Sequence, residues 1–307
     1  MEILHSILVV CFNQERLIKD CLNSIIAQSV QPYEVIIIDD CSLDNTWDVV
    51  QSYISQYPSM MKGFRNEKNI GVFQNVNKIK SLPTGNFINF VSGDDMLPSG
   101  ILEKYNEYIN SNNIDLSDPI LILTDCYIKS GDKMRLVSNR KIMKYSPFEN
   151  ILLNCLWTWD TGISATLLKK MSPLREDIGY QADLLWHLDK VSCSDRIYYM
   201  SVPGYIYRSN VGVTRSTPSF EHWDSKKKVI SIILEKYKSE ISLKAYRYLS
   251  FDNSRMNYII SPGLLTYIKL LYSCINTRGF RFNNPYRNSI TLLLPYTFKR
   301  ILKSFMK

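Results

Sequence analysis

Histidine is scarce in this 307-residue chain, with only three copies, and the seven cysteines are scattered singly with no Cys-x-x-Cys. Neither a zinc site nor a disulfide framework is suggested, and a reducing, cytoplasmic setting is expected. Gly-x-x-x-x-Gly-Lys-[Ser/Thr] and Gly-x-Gly-x-x-Gly are both missing, so a P-loop nucleotidase and a dinucleotide dehydrogenase lose their main support. No apolar run is long enough to cross a bilayer. No basic segment precedes the short apolar run at 7–12, and polar Asn13-Gln14-Glu15-Arg16 follows at once, which predicts no secretory signal. Acid is absent from residues 253–307, where nine bases lie; the remaining 28 bases and 29 acids nearly cancel, so the formal charge of +8 belongs to the tail.

What remains is rich in apolar runs. At 45% hydrophobic content the chain can bury a substantial core, most simply as one α/β domain with a smaller helical part. Up to about Asp95, short apolar runs alternate with helical periodicity, the pattern of βαβ units on a parallel sheet. Strands are predicted at 7–11, 35–38 and 87–91, with a weaker one at 60–65 and another at 120–124. Leu17, Ile18, Cys21, Leu22, Ile25 and Ile26 line one helix face, and Trp47, Val50, Tyr53 and Ile54 another, with Asp44 or Asn45 suited to cap it. A short helix is expected at 75–82, and a hairpin or mobile loop at 129–144.

Two acidic pairs follow two of these strands: Asp39-Asp40 after 35–38, and Asp94-Asp95 after 87–91. An acid after a strand commonly makes a turn or caps the next helix. Two pairs at one sheet edge would repel each other unless a cation or ligand donors compensate them. Oxygen donors without nearby histidine or cysteine suit Mg²⁺ or Mn²⁺, which bind one or two carboxylates and the substrate's phosphates.

Ser6-Ile-Leu-Val-Val-Cys-Phe12-Asn13-Gln-Glu15, Val35-Ile-Ile-Ile-Asp39-Asp40-Cys-Ser42-Leu-Asp44-Asn-Thr46, Asn69-Ile-Gly71 through Asn77, and Gly85 to Ser92-Gly-Asp94-Asp95 occur in that order. Together they resemble the GT-A fold glycosyltransferases of family 2, in the type that assembles bacterial surface polysaccharides. The resemblance implies a mainly parallel sheet flanked by helices, with a catalytic domain at 1–219. Residues 1–95 would form its nucleotide-binding half and 96–219 its acceptor half, with a C-terminal helical basic region at 220–307.

The same resemblance implies that Phe12, Asn13 and Glu15 border the nucleotide and that Asp39 contacts the base. Asp94 would meet the ribose, and Asp95 would bind the Mn²⁺ or Mg²⁺ that bridges the diphosphate. Asn69, Gly71 and Asn77 would shape the wall near the uridine, and Arg208 and Arg215 a late basic loop over the pyrophosphate. Two departures stand out: Ser92 replaces the first Asp of Asp-x-Asp-Asp, and Val76 replaces an Arg. The family's general base, which takes the acceptor proton, corresponds to Asp183 in Ala182-Asp183-Leu-Leu-Trp186, with Ala in place of Glu. Arg175-Glu176-Asp177 is the fallback, and a plain helix-start acid the alternative for Asp183.

Trp157, Trp159 and Asp160 offer a stacking platform and a hydrogen bond for an acceptor sugar. Residues 292–307 interleave apolar and basic side chains in a manner suited to an anionic membrane surface. Nucleic acid is a poorer partner, since no groove-reading or base-stacking module accompanies the charge. The expectation is an inverting transfer of a hexose or N-acetylhexosamine from a nucleoside-diphosphate sugar, UDP-linked. The acceptor would be a polyprenyl-diphosphate-linked saccharide in O-antigen or capsule assembly, met by an enzyme peripheral on the inner membrane. The rivals are a non-catalytic membrane-associated scaffold and a processive synthase, the latter disfavoured by the lack of Gln-x-x-Arg-Trp and of membrane spans.

Overall fold

A computed structural model describes residues 2–143, 146–154, 161–179, 182–209, 211, 219–261 and 263–276. The N-terminal alternation is β1 (His5–Cys11), α1 (Ile18–Ile26), β2 (Glu34–Asp39), α2 (Thr46–Gln56), β3 (Met61–Arg65), α3 (Val72–Ile79), β4 (Phe87–Ser92) and α4 (Ile101–Ser111). There follow β5 (Ile120–Ser130), β6 (Lys133–Val137), α5 (Pro147–Asn154), β7 (Thr161–Ser164), α6 (Ala165–Lys170), α7 (Ala182–Ser192) and β8 (Arg196–Arg208). Three helices close the described chain: α8 (Ser219–Lys236), α9 (Leu243–Ile260) and α10 (Leu264–Asn276).

The strands form one eight-stranded sheet in the order β3-β2-β1-β4-β7-β5-β6, with β8 also pairing β5. β1, β2, β3 and β4 run parallel, whereas β7 is antiparallel to both β4 and β5. Apolar residues occupy both faces of the central strands because helices cover both sides. Ile7, Val9, Val35 and Ile37 pack with α1, α2 and α4. Leu8, Ile36 and Ile38 face the opposite way, toward α3, α5, α6 and α7.

The same second cluster takes in Val229, Ile230 and Ile233 of α8 and Ala245, Leu249 and Met256 of α9. The described part of the C-terminal helical region therefore shares its core with the sheet.

Sequence and structure diverge at the margins of elements. The helix expected at 75–82 begins at Val72, directly after Gly71, whose φ of 85° is open to glycine at no steric cost. The strand expected at 120–124 continues to Ser130 and turns through Gly131 into β6, so the polar stretch is a hairpin. The polar face of β5 hid its extension, because its last residues are only half-buried.

Candidate functional site at the carboxyl edge of the sheet

β1, β2 and β4 end together, with Cys11 opposite Asp39 and Val10 opposite Ser92. At about 4.8 Å between neighbouring strands, the exits of β2 and β4 lie about 10 Å apart on either side of β1. The chain winds outward from β1 through β2 to β3, then returns to the other side of β1 with β4. The gap between β1 and β4 is thus a topological switch point, the place where open α/β sheets take ligands. Both acidic pairs face this one edge.

The members of the first pair do different work. Asp39 is fully buried, accepts from the Ser42 amide at 3.0 Å and hydroxyl at 2.5 Å, and pairs with Arg65 at 3.5 Å. Asp40 turns to the other side and accepts from Asn66 Nδ2 (2.9 Å) and from the amides of Ile70 (2.8 Å) and Gly71 (2.9 Å). Burial alone would push the Asp40 carboxyl up; the hydrogen bonds outweigh it and hold it below the usual range. Asp40 therefore fixes the segment from exposed Asn69 to half-buried Gly71. Asn66 and Asn75 extend this network, with Asn75 reaching the Gly71 carbonyl at 2.9 Å.

The exits of β1 and β2 are tied to one another. Asn13, at φ 51°, receives the Leu43 amide on its Oδ1 (2.8 Å) and gives its own amide to Ser42 (2.9 Å). Glu15 accepts from Asn45 through both the amide (3.1 Å) and the side chain (3.0 Å). Asp44 rather than Asn45 takes the Thr46 amide at the start of α2. Phe12 is half-buried at the end of β1, beside this junction. Asn77 lies farther along α3, and both ends of its amide bind the Leu174 backbone, at 2.9 and 2.7 Å. It joins α3 to the segment before α7.

The second pair is anchored from β8. Asp95 is buried, with Tyr205 Oη at 2.9 Å on one oxygen and the Arg208 amide at 2.7 Å on the other. Desolvation, reinforced by the neighbouring Asp94 charge, pushes the Asp95 carboxyl up to about 7 despite these donors. Asp94 is half-buried and accepts from Ser92 Oγ, leaving its other oxygen without a protein donor among the described residues. Gly93 lets this loop press on the end of β1: a Cβ there would lie 2.4 Å from Gln14 Oε1 and 2.7 Å from Cys11 Cβ.

Arg208 is buried beneath the pair rather than open above it. Its guanidinium bonds the Asp94 carbonyl, Asp20 (2.9 Å) and the Leu17 carbonyl (2.9 Å). It positions the acidic loop against α1, with all three of its nitrogens donating to the protein. Tyr205, which also accepts the Ser92 amide at 3.1 Å, escaped sequence reading altogether. The β5–β8 register carries it under Asp95 from 110 positions away, and only the aromatic run of β8 hinted at it.

Asp183 opens α7, whose Trp186 meets Phe90 of β4 edge to face at 4.9 Å. That contact brings the start of α7 across the strand that carries the acidic pair. Asp183 is half-buried, with the Leu184 amide (2.8 Å) and its own amide as its donors among the described residues, and desolvation pushes its carboxyl to about 7. Asp177 is its opposite: exposed, paired with Arg175 at 2.6 Å, and held below the usual range chiefly by that hydrogen bond. Glu176 accepts from Gln74 at 2.6 Å. Trp157, Trp159, Asp160 and Arg215 lie outside the described residues, as do residues 292–307.

Among the described residues no three His, Cys, Asp or Glu side chains gather into a cage that would hold an ion alone. The donor set nevertheless fits Mg²⁺ or Mn²⁺ completed by phosphate oxygens. Asp94 has a free oxygen, and Asp95 is an acid whose ionisation burial and its neighbour oppose; a cation would relieve both.

The family model for glycosyl transferase family 2 matches residues 6–169, just over half of the chain. The chain belongs to glycosyl transferase family 2. An uncharacterized glycosyltransferase of Bacillus subtilis, EpsJ, is 24% identical over 222 residues, covering 67% of this chain and 61% of EpsJ. The matched stretch spans only 26% of the length of mycobacterial relatives that are 35% identical over 91 residues. The UDP complex of Staphylococcus aureus TarS superposes with a TM-score of 0.60 at 19% identity, over 98% of this chain and 86% of that one. A mannosyltransferase from Pyrobaculum calidifontis, bound to GDP-mannose and Mn²⁺, gives 0.56 at 15% identity, over 95% and 84%. These likenesses establish the GT-A fold. For this family 2 chain, the matched residues hold both acidic pairs, while Asp183, Tyr205 and Arg208 lie beyond them.

Proposed function

We propose that this family 2 member is an inverting glycosyltransferase. It takes a hexose or N-acetylhexosamine from a nucleoside-diphosphate sugar, UDP-linked, and adds it to a saccharide on polyprenyl diphosphate, in O-antigen or capsule assembly. The carrying observation is the meeting of Asp39-Asp40 and Asp94-Asp95 at one switch point, with a desolvated acid, Asp183, on the helix packed against β4. The UDP bound to TarS and the Mn²⁺ bound to the Pyrobaculum enzyme support the donor class and the ion.

Asp39 and the segment held by Asp40 close the nucleoside side of the cleft. Asp94 borders the ribose and, with Asp95, would hold Mn²⁺ or Mg²⁺, which supplies positive charge to the departing diphosphate. Asp183 takes the proton of the acceptor hydroxyl as its oxygen bonds to the anomeric carbon, while the bond from that carbon to the diphosphate oxygen breaks. Attack from the face opposite the leaving group turns an α-linked donor into a β-linkage. Trp157, Trp159 and Asp160 are proposed to receive the acceptor sugar, with Arg215 near the diphosphate.

No helix of the described residues is long and apolar enough to cross a membrane. Reaching a lipid-linked acceptor then calls for peripheral attachment to the inner leaflet from the cytoplasm, through the basic C-terminal region. The test is transfer or hydrolysis of a panel of UDP-sugars by the purified chain with Mn²⁺, before and after chelation. Metal-dependent turnover that Asp95→Asn abolishes in a folded protein is expected. Binding without any turnover would favour a non-catalytic scaffold, and full activity in Asp95→Asn would remove Asp95 from the metal site.

A further inference from the structure

α10 turns an apolar stripe to solvent: Leu265, Ile268 and Tyr272 are 67%, 51% and 68% exposed, whereas Leu270 on the far side is 2% exposed. At about 100° per residue the three exposed side chains fall within an arc of roughly 60°. Lys269 lies about 40° beyond the edge of that arc, Thr266 about 100°, and Leu270 about 140°. The helix is thus graded, from bare apolar surface through a cation and a hydroxyl to the core.

The graded flank faces a cavity of about 220 Å³ among α8, α9 and α10, lined by Lys227, Ser254, Asn257, Ser261, Thr266 and Lys269. Among the described residues neither Lys227 nor Lys269 has a carboxylate partner. The nearby Asp252 is held between Lys226 (2.8 Å) and Arg255 (2.7 Å), which leaves that trio net positive. No acid occurs anywhere from 253 to 307. Two cations and several hydroxyl and amide groups, with Ile260, around a space that can admit a phosphate, bordered by an apolar stripe, match the depth profile of an anionic bilayer surface.

We propose that α10 lies on an anionic bilayer, with Leu265, Ile268 and Tyr272 at the outer ends of the acyl chains and a lipid phosphate between Lys227 and Lys269. This deepens the peripheral-membrane part of the proposed function, on which it rests, by giving it a site distinct from residues 292–307. A second copy of the chain would cover the stripe less well, because a two-fold interface there would bring the Lys227 and Lys269 charges of both copies to one face, with no acid between 253 and 307 to pair with them.

The full chain is sedimented with vesicles of phosphatidylcholine alone or mixed with phosphatidylglycerol. Wild type is expected on the mixed vesicles only. The triple variant Leu265→Ser, Ile268→Ser, Tyr272→Ser and the double variant Lys227→Gln, Lys269→Gln are each expected to bind at least ~10-fold more weakly. Both should keep the wild-type far-ultraviolet dichroism and the wild-type rate of donor hydrolysis in solution. Variants of α10 that bind as wild type, while Lys299→Gln, Arg300→Gln, Lys303→Gln, Lys307→Gln loses binding, would overturn this site and leave the membrane reading standing. Wild type that ignores both vesicle types would sink both. A wild-type dimer that the triple variant splits, with no lipid binding, would assign the stripe to self-association instead.

Discussion

Asp40 and Asp183 are the same residue type in the two halves of the molecule, and their surroundings drive them in opposite directions. Asp40, at the exit of β2, collects donors from Asn66, Ile70 and Gly71 and stays ionised well into acid. Asp183, at the start of α7, has among the described residues only backbone amides of its own turn, and burial raises it to about 7. A carboxylate saturated with donors is a fixed strut; one that lacks them can accept a proton near neutrality. Asp40 is such a strut at the exit of β2, while Asp183 at the start of α7, like Asp95 after β4, is an acid ready to titrate near neutrality.

The largest expected effect tests that contrast directly. Asp183→Asn should lower transfer by ~10²–10⁴-fold with donor affinity retained, read by paired kinetics and calorimetry. In wild type, kcat should rise with pH through about 7 as Asp183 loses its proton. Stability should move the other way: an acid raised in the fold stabilises it most below the unfolded value near 4, and that contribution disappears as pH climbs toward 7. The Asn variant should therefore melt a few degrees (~2–6 °C) above wild type in mildly alkaline buffer. An unchanged rate or a flat pH profile would return Asp183 to the status of a helix-start acid.

Arg208→Ala should come next, at about 3 kcal/mol of unfolding free energy, because it strips donors from Asp20, Leu17 and the Asp94 carbonyl at once. Denaturant melts would show it, and loss of less than about 1 kcal/mol would mean that the staple is dispensable. Tyr205→Phe is milder, about 1–2 kcal/mol, since it leaves one Asp95 oxygen and the Ser92 amide unmatched. Its sharper readout is Mn²⁺ affinity, which should change while the fold persists. At the bottom of the scale, Asp177→Asn should alter neither kcat nor melting, its partner being an exposed arginine. A large loss there would exchange the roles of the two acids.

The central strands were legible because runs such as Val35-Ile-Ile-Ile announce burial on both faces. β3 was faint for a physical reason: it is the sheet's edge, so Lys62 and Arg65 can be exposed and the apolar run is broken. The acidic pairs were legible as pairs but not as individuals. Nothing in the order of letters tells that Asp39 turns to Ser42 and Arg65 while Asp40 turns to the Ile70 and Gly71 amides; that depends on which way each side chain leaves the strand. Tyr205 and Asp20 were hidden because their partners arrive from 110 and 188 positions away through the β5–β8 pairing. Arg208 reads in the sequence as a charge for a ligand; what the order of letters does not tell is that its guanidinium ties the acidic loop to α1.

β8 is joined to the acidic loop at more than Asp95: Met96 and Ile206 exchange backbone hydrogen bonds at 3.2 and 2.9 Å just past the pair. The loop is in effect an extra rung of the sheet. Its carboxylates keep their bearing whether or not a guest is present, so the entropy of ordering them was settled when the chain folded. A donor arriving at such an edge meets a mould already set, and its capture should proceed with small backbone displacement and a modest change in hydrogen-exchange protection there.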